Sequence, residues 1–300
     1  YSRNLSYALK ALGYEVSVLY GSRSSSGIDS LLKEISFFDS NAGNPSRFVQ
    51  LIQYYKELFY SPYGFTADKI PLSERIIKDT FKSKLPKFDH LLNCPNLYQR
   101  SNRRFRWYNK RFKNVNIVGK NIDLAHWTYP LPLRIKGARN IYTLHDLVPL
   151  RLPYTTLDNK KRYYKLLKLV KSNADHIVTV SENSKKDLVE ILGIDESRIT
   201  NTYQSVFIPP KYSETPEEEV QRTIEGTFGF DYKGYFLFFG SIEPKKNIGR
   251  IIESYLSARV DSPLVIIGAQ AWKSDQELKL LYDDHNRFLF ERNNLTSVRK

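Results

Sequence analysis

Cysteine and methionine are nearly or wholly missing from this chain, and acids are sparse in its first two thirds. The single cysteine, Cys94, leaves no internal disulfide framework and no cysteine-based zinc site, so a reducing compartment is the simpler expectation. Five histidines (90, 126, 145, 176, 285) show no HxxxH or similar spacing, which argues against a metal held mainly by the protein. No apolar run approaches the roughly 18 residues needed to cross a bilayer. Methionine is absent, and Tyr1 opens inside a helical pattern (Leu5, Ala8, Leu9, Leu12) with no capping residue before it. The pattern predicts a fragment.

What is present supports globular cores. Of 300 residues, 41% are apolar and 14% aromatic, enough for one large or two ordinary domains. The net charge of +14 is uneven: residues 1–208 hold 33 Lys+Arg against 18 acids, and residues 209–300 hold 13 against 14. All the excess lies in the first part, which therefore suits something anionic, such as a membrane surface, a polyanion or a phosphorylated substrate.

Residues 2–12 read as a helix ended by Gly13, followed by a strand at 15–20. The region to about 120 is poorly patterned, with helical periodicity near 44–60 and 71–80. From Ile122 strands and helices alternate: strands at 122–126 and 140–147, a helix at 160–172, a strand at 176–181, a helix at 184–192 opened by Ser184 and Asp187 in a capping-box pattern, and a strand at 198–204. Several strands are unbroken apolar runs, which points to an α/β fold with parallel sheets covered on both faces. IPPKYSETPEEE (208–219) reads as a linker and a short acidic helix. It predicts a first domain over 1–208 and a second, incomplete one over 209–300. In the second, strand 235–239, helix 247–258, strand 263–268, helix 274–283 and strand 287–290 continue the alternation.

Ligands of doubly wound sheets sit beyond the carboxyl ends of the strands. Four such ends carry suitable chemistry: His145-Asp146, Ser181-Glu182, Gly240 to Lys246, and Gly268-Ala269. The stretch YFLFFGSIEPKKNIGRIIESYLS (235–257) combines a strand, a glycine turn and a helix start with two lysines, an arrangement suited to an anion. Adjacent loop lysines are usually solvated surface, yet cations there oppose the helix dipole by roughly 0.3–1 kcal/mol each, which an anion would offset. His145 reads either as a strand-end residue bonded locally or as a functional group at the sheet's mouth. His126, Trp127 and Tyr129 form another strand end, where the aromatics suit either sugar stacking or the core. Residues 82–120 carry eleven Lys+Arg and one acid among aromatics, and 160–171 carry six Lys+Arg and no acid. Such basic amphipathic surfaces suit an anionic membrane face. No recognised nucleic-acid module occurs.

GSIEPKKN (240–247), VSENSKKDL (180–188), YTLHDLVPL (142–150), TYQS (202–205) and PLVIIG (263–268), in this order, resemble the retaining nucleotide-sugar glycosyltransferases of family 4. The likeness is greatest to bacterial mannosyltransferase-like members of polysaccharide and lipopolysaccharide O-antigen pathways. The resemblance implies a GT-B architecture of two Rossmann-like domains, the first receiving the acceptor and the second holding the nucleotide-sugar. It implies His145 near the transferred sugar and Lys246 on the donor diphosphate as catalytic groups. Gly240, Ser241, Lys245, Lys246 and Gly268 would bind the donor, with His126, Trp127 and Asp146 on the acceptor side. No metal or other cofactor is implied. Partners would be a nucleoside-diphosphate sugar, a saccharide or lipid-linked saccharide, and an anionic membrane surface met through 82–120 and 160–171, on the cytoplasmic face. Ser241 stands where many members have arginine, and Lys245 is a candidate for the second positive charge. The family's glycine-rich loop preceding the first helix would lie before Tyr1, and its paired glutamates, seven residues apart and contacting the donor sugar and ribose, beyond Lys300. The alternatives are a non-catalytic membrane- or polyanion-binding protein and an inactive truncated product.

Overall fold

The alternation of apolar strands and amphipathic helices produces parallel sheets in each of two units. The computed structural model describes residues 1–22, 29–38, 64–73, 85–108, 111–206, 208–282 and 296–297. Residues 1–147 and 159–205 form the first unit; 148–158 and 206–300 form the second. The segment 148–158, which the sequence reading kept in the first domain, groups with the second unit. The helical patterns near 44–60 and most of 71–80, and the expected strand at 287–290, fall outside the described residues.

The first unit holds two sheets. In the first, β1 (Ser17–Tyr20), β3 (His90–Asn93), β2 (Phe65–Lys69), β4 (Lys113–Ile117) and β6 (Leu133–Ile135) lie in the order 1-3-2-4-6. Its pairs are parallel except β2 with β3. The second sheet is wholly parallel, β5 (Leu124–Trp127), β7 (Arg139–Thr143), β8 (His176–Thr179) and β9 (Ile199–Asn201), in the order 5-7-8-9. Ala125, Trp127, Tyr142, Ile177 and Ile199 are buried along these strands. Helix α1 (Ser2–Ala11) ends one residue before the expected limit, and α2 spans Ser30–Phe38. Helix α3 spans Leu97–Tyr108. Helix α4 (Lys160–Asn173) is opened by Asn159, whose side chain accepts from Arg162 N, and it buries Leu166, Leu167 and Val170.

Helix α5 (Glu182–Leu192) corrects the sequence reading at its start. Ser181, not Ser184, is the N-cap, and its hydroxyl accepts from Ser184 N at 3.1 Å. The strand ends at Thr179, so the first serine after the turn is the one with extended backbone and a free oxygen to offer. Gly193 ends the helix, as expected.

The aromatic-basic stretch 82–120 is also reshaped. Arg104, Phe105 and Phe112 are buried, and the Arg100 and Arg104 guanidinium groups lie 5.0 and 4.8 Å from the Phe65 ring centroid. Part of the expected basic surface therefore packs inward, because a guanidinium is less strongly hydrated than an ammonium and can stack on an aromatic face.

The second unit is built on β10 (Phe236–Phe239), β11 (Leu264–Ile267) and β12 (Thr296–Ser297), ordered 10-11-12 and parallel. Helix α6 covers Glu217–Phe228, and α7 covers Ile248–Ala258. The expected helix at 274–283 resolves into two single turns, Ser274–Glu277 and Lys279–Tyr282. Ile242, Ile248, Ile252, Tyr255, Leu264, Ile266 and Leu278 form the core of the unit. Strand β10 departs from the expected double-sided burial: Phe236, Leu237 and Phe239 are 52%, 55% and 82% exposed. It is the edge strand, and the core gathers around β11 and α7 instead.

Candidate functional site

In the first unit the chemistry stands at the carboxyl ends of β5 and β7. Parallel register places His126 opposite Ile141 and Trp127 opposite Tyr142, so both strands deliver their last residues to one edge. Thr143 is fully buried, and its hydroxyl lies 2.7 Å from His126 Nε2. Burial holds the His126 imidazole below its ordinary pKa, favouring the neutral ring. His145 donates from Nε2 to the Thr128 carbonyl at 3.2 Å. The Tyr1 ring stands edge-on to both imidazoles, 6.3 Å from His126 and 5.3 Å from His145 between centroids.

The backbone beneath His145 is fixed from β8 and from the helix that follows it. Thr179 donates through Oγ1 to Leu144 O, and Ser184 through Oγ to His145 O, each at 2.8 Å. Asp146 is exposed, and its carbonyl accepts from Tyr163 Oη at 3.2 Å. The structure thus brings His126 and His145 to one edge, joined by residues that sequence reasoning passed over: Tyr1, Thr128, Thr143 and Ser184. For Thr128, Thr143 and Ser184 the signal was faint, hydroxyl residues at or a few positions past successive strand ends, and Tyr1, ahead of the first helix, gave none.

Trp127 is corrected from the acceptor side to the core. It is 6% exposed, its indole N–H donates to Asn140 Oδ1 at 3.1 Å, and its ring stacks on Tyr142 at 6.3 Å. Strand alternation explains it, since the neighbour of an outward His126 must face inward.

In the second unit the chemistry stands at the ends of β10 and β11. Gly240 N donates to Ile267 O at 3.0 Å, Ile242 N to Ala269 O at 2.9 Å, and Ala271 N to Ile242 O at 3.1 Å. The two strand extensions are pinned so closely that a Cβ on Gly268 would stand 1.7 Å from Gly240 O. Gly240 itself has φ +151°, a conformation that side chains disfavour. Both expected donor-binding glycines therefore have a backbone reason to be glycine.

The lysines follow in a single 3-10 turn, Pro244–Lys246, and not in the first turn of α7. Lys246 N donates to Glu243 O and Asn247 N to Pro244 O, so these amides are already occupied. Asn247 adopts the left-handed conformation (φ +55°) and makes no side-chain cap. Gly249 N, in the first turn of α7, donates to Glu277 Oε2 at 2.9 Å. The expected open helix end is thus met by a carboxylate of the same chain.

Ser241 donates through Oγ to Glu243 Oε1 at 2.6 Å, and Lys245 Nζ lies 3.3 Å from the same oxygen. Burial raises the Glu243 carboxyl, but the Ser241 bond and the Lys245 ammonium together outweigh it and hold it below the usual range. Lys245 therefore shares its charge with a carboxylate of its own turn. Lys246 is exposed and makes no ion pair among the described residues. No group of three His, Cys, Asp or Glu side chains able to hold a metal occurs among the described residues.

Residues 79–206 match the model of the family described as Glycosyltransferase Family 4. The chain is 26% identical over 181 residues to the O-antigen chain mannosyltransferase B of Escherichia coli, covering 58% of this chain and 44% of that protein. The matched segment, under half of the chain, is similar to glycosyltransferase family 4. A solved structure of the wall teichoic acid polymerase TagF pairs with 84% of this chain and 62% of its own, at 13% identity and a TM-score of 0.29. The chain spans under half the length of the curated relative it matches.

Proposed function

We propose that the chain is part of a retaining hexosyltransferase that moves a hexose, with mannose the first candidate, from a nucleoside-diphosphate sugar to a saccharide or lipid-linked saccharide acceptor. The observation that carries this reading is the family match over 79–206, because that segment contains the whole β5–β7–β8–β9 sheet and both strand-end histidines. His145 contacts the transferred sugar and His126 serves the acceptor side, with Asp146 beside them. Lys246 meets the negative charge that develops on the departing diphosphate, for which a single well-aimed charge is worth about 3–4 kcal/mol. With Lys245 engaged by Glu243, Lys246 is the principal cation, and Gly240, Ser241 and Gly268 shape the turn that carries it. The reading requires no metal.

Calorimetric titration with GDP, UDP and their sugars tests it, with binding of one nucleoside diphosphate expected. A chain that binds none of them refutes the reading. In a transfer assay, Lys246→Ala should lower turnover about 100-fold.

A basic helix face favours peripheral contact with the inner face of an anionic membrane. Lys161, Lys165 and Lys168 are exposed on α4 at spacings that share one face, and the Lys168 ammonium lies 4.8 Å from the Tyr164 ring centroid. Among the described residues, no helix is long and apolar enough to cross a membrane. Co-sedimentation with anionic vesicles, abolished by salt and absent with neutral vesicles, is the expected result; equal partitioning refutes the contact.

A further inference from the structure

The donor-side turn has an attachment at its rear that the lysines do not supply. Glu277 lies at the end of the single helical turn Ser274–Glu277, almost thirty residues after Gly249, yet its carboxylate reaches the first turn of α7 and accepts from Gly249 N at 2.9 Å. The approach is close on both sides: a Cβ built on Gly249 would stand 3.3 Å from Glu277 O and 3.6 Å from Glu277 Oε2. Ser274 and Leu278, which flank the carboxylate, are buried, and Leu278 belongs to the core shared with Ile248 and Ile252 of α7. The carboxylate is therefore presented from a packed segment and not from a loose loop.

At the front of the turn, Glu243 fixes Ser241 and Lys245. At the rear, Asn247 takes the left-handed conformation without offering a side-chain cap, so the usual local means of holding a helix start is missing. Glu277 replaces it from a distance, and a carboxylate is the favourable group at that end of the dipole. Only two residues separate Gly249 from Lys246.

We propose that Glu277 is a positioning residue for the nucleoside-diphosphate end of the donor: by capping α7 at Gly249 it holds the Pro244–Lys246 turn and aims Lys246. This rests on the donor reading given above. The carboxylate also closes the helix end to phosphate, which leaves recognition of the diphosphate to the lysine rather than to the amides of α7.

The test uses the whole protein that contains this chain, Glu277→Gln and Glu277→Ala, with GDP and UDP as probes in calorimetry and backbone amide exchange read at 245–250. Glutamine keeps an acceptor oxygen on Gly249 N, and alanine removes it. Loss of one hydrogen bond to a charged group is expected to accelerate exchange at these amides in Glu277→Ala by about tenfold or more, and to weaken nucleotide binding comparably. Glu277→Gln should stay within about threefold of the unaltered chain in both. Unchanged exchange in Glu277→Ala overturns the proposal, as does faster exchange with unaltered nucleotide affinity. Tighter nucleotide binding in both variants also overturns it, because the carboxylate is then a competitor of the phosphate. Absence of nucleotide binding by the unaltered chain overturns the donor reading and the positioning role with it. Binding that Glu277→Ala leaves intact overturns the positioning role alone.

Discussion

The strand ends of the two units hold their functional groups by opposite means. In the first unit side chains do the holding: Thr143 on His126, Thr179 and Ser184 under the backbone of 144–145, and Tyr1 edge-on to both imidazoles. In the second unit the backbone holds the strand ends themselves, through three amide–carbonyl bonds between the extensions of β10 and β11 and a contact at Gly268 that admits no side chain, and the carboxylates of Glu243 and Glu277 act only on the turn beyond them. A side-chain network can be re-tuned residue by residue, whereas a backbone clamp tolerates almost no substitution at its glycines. The charged groups differ in the same way. The imidazoles of the first unit are half-buried, and burial of one favours its neutral form, while Lys246 stands exposed on a 3-10 turn.

The comparison breaks most sharply at the residues that anchor each side. Trp127→Ala in the first unit should cost about 3–5 kcal/mol of stability, as expected for removing a buried tryptophan. Chemical denaturation reads it directly, and a near-neutral result would return Trp127 to the surface role of a sugar platform. Gly268→Ala in the second unit is expected to cost about 3 kcal/mol, the upper part of the overpacking range, since the blocking atom is a backbone oxygen. Amide exchange should locate that loss at β10 and β11 and leave β5 and β7 protected. Equal loss in both sheets would mean that the two clamps are not independent.

Much of this difference was legible in the chain and some of it was not. The alternation from Ile122 onward gave the β5, β7, β8 and β9 strands and the α4 and α5 helices to within a few residues, because long buried elements repeat their pattern. Gly240 and Gly268 were visible as strand-end glycines, but their mutual approach depends on which two strands are neighbours, and the chain does not state that. Glu277 could not be connected to Gly249 for the same reason. Trp127 was ambiguous because an aromatic beside a polar strand end fits a core or a ligand equally well. Only the alternation enforced by His126 on the outward side decides it. The basic residues of 82–120 misled by their number, since arginine counts as surface until an aromatic such as Phe65 offers it a face.

The lysine pair sharpens the contrast within the second unit. Lys246→Ala should weaken nucleoside-diphosphate binding by about tenfold to a hundredfold, the worth of one charge-assisted contact, without altering the melting temperature. Lys245→Ala should weaken it far less, because that ammonium already lies 3.3 Å from Glu243. Reversal of this order in calorimetry would assign the diphosphate to Lys245 and show that the Glu243 pair opens on binding.

The smallest expected effect tests the neutral histidine of the first unit. Burial lowers the pKa of His126 in the folded chain, so the unfolded chain, with an ordinary imidazole near about 6.5, takes up its proton first as the pH falls. The unfolded state then binds more protons, and stability declines with falling pH. The contribution of His126 is therefore fully present above about pH 6.5 and is lost on descending from there toward its depressed folded value. The hydrogen bond of Lys10 to Asp89 and that of Lys120 to Glu15 hold those carboxyls below their usual range, so their contributions are lost only at lower pH and do not fall in the same window. Thermal melts between about pH 7.5 and 5 should show a downward slope that His126→Gln reduces, since glutamine can hydrogen-bond Thr143 and cannot titrate. A slope that survives the substitution unchanged would mean that His126 takes its proton without cost, and the strand end of β5 would then be as open to solvent as the turn that carries Lys246.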